Sequence, residues 1–157
     1  MAGSRVLLLG RGDGVRIPSG KQPNRALAKW WQRILGLQDW RIDTYFLTDA
    51  EFARRFGQGK AGYCDAVQAR QWAAISVSLD PEDDTDPEHS LVHEECHVLS
   101  NGVYMCVMRV IDDYITDSHA REYAKDEFNS QIEVMTDKTA SAFMRLKKIA
   151  ENKEVAE

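Results

Sequence analysis

His93-Glu94-Glu95-Cys96-His97 lies between Asp86-Pro87-Glu88 and Asn101-Gly102, and reading that stretch as a helix decides what the rest of the chain must do. Asp86 offers an N-cap, Pro87 suits the first helical position, and Glu88 places an acid in the first turn. Asn101-Gly102 supplies an expected stop. Leu91, Val92, Val98 and Leu99 gather on one side of this helix, with the two histidines at the margin, so it can bury one side and present the imidazoles to a cleft. Residues four apart on a helix stack on one face, which lets His93 and His97 point at a single Zn²⁺. Glu94 then stands beside the metal, where it can take a proton from a metal-activated water.

A catalytic zinc generally has three protein ligands and one open position, so two histidines need a third donor. The candidate is Glu133 in Gln131-Ile132-Glu133-Val134-Met135-Thr136-Asp137, on a second expected helix. Asp137 follows one turn later on the same face, placed to accept the remaining ring N–H of a ligand histidine and so fix its tautomer. His89 shares a helix side with His93 but reads as a solvent-exposed first-turn residue.

His93-Glu94-x-x-His97 followed by Glu133-x-x-x-Asp137 resembles the gluzincins, zincin metallopeptidases whose third ligand is a glutamate. More narrowly, the chain is similar to small phage-type zinc peptidase-like proteins. It offers a Trp-containing helix, a strand, Gly62-Tyr63-Cys64-Asp65, a strand ending Ile75-Ser76-Val77-Ser78-Leu79-Asp80, Leu91-Val92-His93-Glu94 and a long glutamate-bearing helix. The likeness covers about residues 24 to 148. It implies zinc ligation by His93, His97 and Glu133, a general-base role for Glu94, and hydrolysis of peptide bonds in a protein or peptide substrate. It also implies an edge strand that receives substrate by β-augmentation. The chain departs from the family in carrying Cys96 where an apolar residue is usual, and Glu95 on the side that otherwise reads as buried. Two other readings stay open: a zinc-binding, non-catalytic interaction module on the same fold, and a structural protein with no metal.

The expected class is α+β, a minimal zincin-like core with an N-terminal helix, a small mostly antiparallel sheet, the histidine helix and a long C-terminal helix. Asn24 caps a helix carrying Leu27, Trp30, Trp31, Ile34 and Leu35 and ending near Gly36. Trp40 to Phe46 alternates as a strand, and Thr48 to Phe56 reads as a short helix stopped by Gly57-Gln58-Gly59. Ala61 to Val67 and Gln71 to Leu79 form a hairpin around Gln68-Ala69-Arg70. Val103 to Tyr114 reads as a separate buried helix. Asp117 or Ser118 opens a last helix running to about Lys148, with Tyr123, Phe128, Ile132 and Phe143 as core contacts.

At 157 residues, 43% hydrophobic and 29% charged, the chain has the length and composition of one globular domain, here placed at residues 23–150. Residues 1–22 read as a flexible leader and 151–157 as a charged tail. Glycines near residues 10–14 lack the Lys-Ser or Lys-Thr of a phosphate loop. A net charge of −5 argues against a nucleic-acid partner, which is bound by phosphate neutralisation. Val6-Leu7-Leu8-Leu9 is too short for a signal core or a membrane span. Three cysteines without a C-x-x-C pair fit a reduced, cytoplasmic setting, and Cys96 reads as a small core thiol. The acidic turn Asp80–Asp86 reads as a solvated loop, and Tyr114, His119, Arg121 and Tyr123 are the residues considered for steadying an oxyanion.

Overall fold

In a computed structural model, which describes residues 22–81 and 85–154, the chain is α+β. The leader, apart from Gln22, and the middle of the acidic turn fall outside the described residues. Helix α1 spans Arg25–Ile34, strand β1 Arg41–Leu47, helix α2 Asp49–Phe56, strand β2 Gly62–Val67, strand β3 Trp72–Ser78, helix α3 Pro87–Tyr114 and helix α4 Ser118–Glu154.

Local chemistry accounts for most boundaries. Asn24 Oδ1 accepts from the backbone N–H of Ala26 and Leu27, and α1 ends just before Gly36 at φ +72°. Thr48 and Glu51 form a capping box on α2, and the Gly57 N–H closes its last turn on Ala53. A short 3₁₀ turn, Gln68–Arg70, joins β2 to β3, with Gln71 in the left-handed region. Asp86 Oδ1 accepts from the Glu88 N–H, and Pro87 opens α3.

The sheet order is β1-β3-β2. The expected hairpin forms, with β2 antiparallel to β3, but β1 pairs with β3 in parallel, Arg41 beside Trp72 and Leu47 beside Ser78. The sheet is therefore mixed rather than mostly antiparallel, because the connection through α2 and β2 returns the chain to β3 in the direction of β1. β3 is the central strand, and Ala73, Ile75 and Val77 are fully buried. They share one core with Leu27, Trp31 and Leu35 of α1 and its exit and with Leu91, Val92, Cys96 and Val98 of α3. Leu99, expected on that side, is exposed.

Asn101-Gly102 does not stop α3. Gly102 keeps a helical conformation and Asn101 is buried, its amide donating to Gln68 Oε1 at 3.4 Å, so tertiary contact overrides the local breaker signal. The segment from Val103 to Tyr114 is thus the second half of α3 and not a buried helix. Its contacts with α4 include Tyr104 stacked on Phe128 and Asp112 paired with Lys125, and within it Val103, Met105, Val110 and Tyr114 are exposed while only Ile111 is buried.

α4 begins where expected, with Asp117 Oδ1 accepting from the Ala120 N–H, and continues beyond Lys148 to Glu154, into the expected tail. Tyr123 is exposed and not a core contact. The packed stripe of α4 runs through Ile132, Thr136 and Ala140 to Phe143, at the three-to-four spacing of one helix face. A polar clasp secures its far end. Glu88, on the first turn of α3, accepts from Trp31 Nε1 at 2.8 Å and from Lys147 Nζ at 2.7 and 2.8 Å, joining α1, α3 and α4. Replacing Glu88 by Ala should cost about 2 kcal/mol, because it leaves the Trp31 indole N–H unpaired and the largely buried Lys147 ammonium with the more distant Glu151 carboxylate at 3.6 Å. Chemical denaturation checks this, and an unchanged midpoint would contradict it.

Glu95 is the anomaly of the core. It is fully buried, and neither carboxylate oxygen meets a hydrogen-bond partner among the described residues. Burial holds its pKa well above the usual carboxylate range, with Lys29 pulling weakly the other way. The folded chain therefore keeps this proton to a higher pH than the unfolded chain. Stability is fully present below the unfolded value of about 4.3 and is lost as pH rises toward the folded value. Glu95→Gln should melt close to wild type at pH 4 and at least about 3 °C higher at pH 8, the shift that roughly 1 kcal/mol produces in a chain of this size. Parallel melting curves across that pH range would contradict the assignment.

Candidate metal centre

The cleft lies between β2, α3 and the middle of α4, with a volume of about 690 Å³. His93, Glu94 and His97 enter it from α3 and Glu133 from α4. Because Ile132 and Thr136 are the residues of α4 driven into the core, Glu133 and Asp137, one step further round, are left at the cleft margin.

Three donor groups converge there. His93 Nε2 is 3.1 Å from His97 Nε2 and 3.3 Å from Glu133 Oε2, and His97 Nε2 is 3.4 Å from Glu133 Oε1. Ligand atoms about 2.0–2.1 Å from a tetrahedral metal ion stand roughly 3.3 Å from one another, and each imidazole nitrogen lies near that spacing from the other and from one of the two Glu133 oxygens. Two imidazoles and one carboxylate also form the donor set that suits zinc. The cluster His93, His97 and Glu133 can therefore hold a metal ion, as its spacing in sequence suggested.

The surroundings shift the protonation of the site. Desolvation holds His97 below its ordinary value, Glu133 pulls it up, and His93 pushes it down. A neutral imidazole is the form that binds metal. Burial first, and the negative charge of Glu133 second, push Glu94 up to about 8, while Lys60 draws it down.

The other expected participants divide. Asp137 Oδ1 stands 4.0 Å from His93 Nδ1 and 3.8 Å from His89 Nε2, near both rings but outside hydrogen-bond distance of either. His89 is half-buried and lines the cleft, its Nε2 3.1 Å from Ser141 Oγ; it is not the exposed first-turn residue its position suggested. Tyr114, His119, Arg121 and Tyr123 do not line the cleft, and Arg121 instead donates to the Ile115 carbonyl. Tyr104, absent from that set, does line it, as do Lys60, Tyr63, Asn101 and Asn129. The missed signal was periodicity: His93, His97, Asn101 and Tyr104 follow the four-four-three spacing of one face once α3 is continuous. Cys96 sits in the core as expected, and burial pushes its thiol up to about 12. Cys64, from β2, lines the cleft.

β2 is the strand that borders the cleft, and among the described residues one of its edges is unpaired in the sheet. Ser78 donates to the Ala61 carbonyl at 2.9 Å, so Ala61 and Ser78 are a hydrogen-bonded pair. Alternation along an antiparallel ladder then turns the N–H and C=O of Gly62, Cys64 and Ala66 away from β3, toward the open edge.

No family model, curated protein or solved structure matches this chain. No helix among the described residues is long and apolar enough to cross a membrane.

The donor triangle predicts about one zinc per chain after dialysis against a small excess of Zn²⁺. His97→Ala and Glu133→Ala should each weaken binding by at least about tenfold to a hundredfold, since each removes a direct ligand, where loss of an outer-shell partner alone has that effect. Elemental analysis with a competing chelator reads this, and unchanged zinc affinity in either variant would contradict the site.

Proposed function

We propose that this chain is a zinc-dependent metallopeptidase hydrolysing peptide bonds of a protein substrate. The observation carrying the proposal is the convergence of His93 Nε2, His97 Nε2 and a Glu133 carboxylate at 3.1–3.4 Å, beside a buried acid and an unpaired strand edge. When bound, zinc lowers the pKa of a water in its open position, polarises a scissile carbonyl and offsets the charge of Glu133.

The chain's own groups do the rest. Glu94, facing the same cleft, accepts the proton of the attacking water and returns it to the departing amine. Its seclusion from solvent raises its basicity above that of an ordinary carboxylate, which suits a general base. The outward N–H and C=O groups of Gly62, Cys64 and Ala66 hold an extended substrate antiparallel to β2, as one more strand. Tyr63 and Asp65, alternating with them, are exposed beside it. This mode of binding gives the exposed edge a use; otherwise it is an aggregation liability.

Glu94→Gln removes the base and keeps the shape. Incubated with a degenerate peptide library and read by mass spectrometry, zinc-loaded wild type should cleave, and the variant should lose about 10²- to 10⁴-fold in rate with its zinc content unchanged. Cleavage at the wild-type rate in the variant would overturn the assignment of the base. Metal retention without cleavage in wild type would favour the non-catalytic zinc module.

A further inference from the structure

Glu94 makes no hydrogen bond or ion pair among the described residues, so no directional bond fixes its carboxylate, and packing must set its position against the longer-range influence of Glu133 and Lys60. Its neighbour is Gly62. A Cβ added to that glycine would lie 2.8 Å from Glu94 Cγ and 2.9 Å from Cδ, and closer still to Oε1. Carbon atoms in contact sit at about 3.5–4.0 Å, so the carboxylate occupies space that any side chain at position 62 would take.

Resting on the peptidase reading, we propose that Gly62 is a positioning residue for the general base: its bare Cα is the seat that holds the Glu94 carboxylate in the cleft. Backbone conformation does not require the glycine, because the glycines with positive φ are Gly36, Gly57 and Gly59. A glycine inside a strand weakens it, and close approach by another group is a reason to keep one there. The backbone on neither side of the seat yields readily. Gly62 pairs with Val77 in register beside the Ala61–Ser78 hydrogen bond, so β2 cannot retreat without breaking its ladder. Glu94 is fixed at its backbone inside α3, between two residues that face the same cleft. A methyl group at position 62 must therefore move the carboxylate.

The placement also joins two parts of the site. The same Gly62 turns its N–H and C=O toward the open edge, where the substrate backbone pairs. One residue thus sets the distance between the base and the chain to be cut. A displacement of about 1 Å in a catalytic group is enough to lower turnover by 10²-fold.

The test uses Gly62→Ala in the full chain, alone and combined with Glu94→Ala. Zinc-loaded Gly62→Ala should keep its metal and a KM within about threefold of wild type, while kcat falls by about 10²-fold. An activity-independent readout accompanies it: Gly62→Ala should lower Tm in the wild-type background and lower it by less than half as much beside Glu94→Ala, because the clashing carboxylate is gone. If the single variant fails to fold, the double variant should fold. Wild-type kcat in Gly62→Ala, an equal Tm loss in both backgrounds, or misfolding of both variants would each overturn the seat. Failure of the peptidase reading is seen separately, as absence of cleavage by zinc-loaded wild type, and the Tm comparison still decides whether Gly62 seats Glu94.

Discussion

The site depends on the packing of α4 against α3. His93 and His97 are brought together by one helix and need nothing beyond its 3.6-residue turn, but Glu133 comes from a helix that begins far along the chain. Its carboxylate reaches the imidazoles because Ile132, Thr136 and Ala140 lock the rotation of α4, and because Glu88 clasps Lys147 and Trp31 at the far end. A rotation of α4 by one residue, about 100°, would carry Glu133 out of the cleft. The donor triangle is thus a product of apolar packing, and its rigidity is that of the core beneath it.

Electrostatics ties the groups into one unit. Glu133 lies close enough to raise Glu94 and to oppose the desolvation of His97, so neither group titrates independently of it. A cation among the three donors reverses the sign of that influence on Glu94, favouring its ionised form. A bound metal ion and the protonation of Glu94 would thus be coupled through Glu133, which borders both. The fully buried Glu95 stands apart, on the core side of the same helix, and carries a desolvation cost that the cleft chemistry does not use.

Much of this was legible in the sequence, for reasons that differ from residue to residue. Asn24, Thr48 and Asp86 announced three helix starts, because capping is a local interaction. The cluster that could hold a metal ion was legible because metal binding draws on few residue types and His93 and His97 stand at helical spacing, while Glu133 followed from the need for a third donor. Asn101-Gly102 misled, since its turn preference is local and the contact with Gln68 that overrides it is not. That misreading hid Asn101 and Tyr104 from the cleft, while apolar residues around much of the circumference made the second half of α3 look buried. The parallel pairing of β1 was illegible because it depends on how α2 and β2 return the chain, and strand alternation carries no direction. Gly62 gave no sign of its neighbour, because a missing side chain has no periodicity.

X-ray absorption at the zinc edge of the metal-loaded protein tests the central claim most directly. The account predicts a shell of nitrogen and oxygen donors at about 2.0–2.1 Å with the outer-shell scattering of two imidazoles and no sulfur. A sulfur shell near 2.3 Å, the distance of a zinc–thiolate bond, or scattering from fewer than two imidazoles would contradict it.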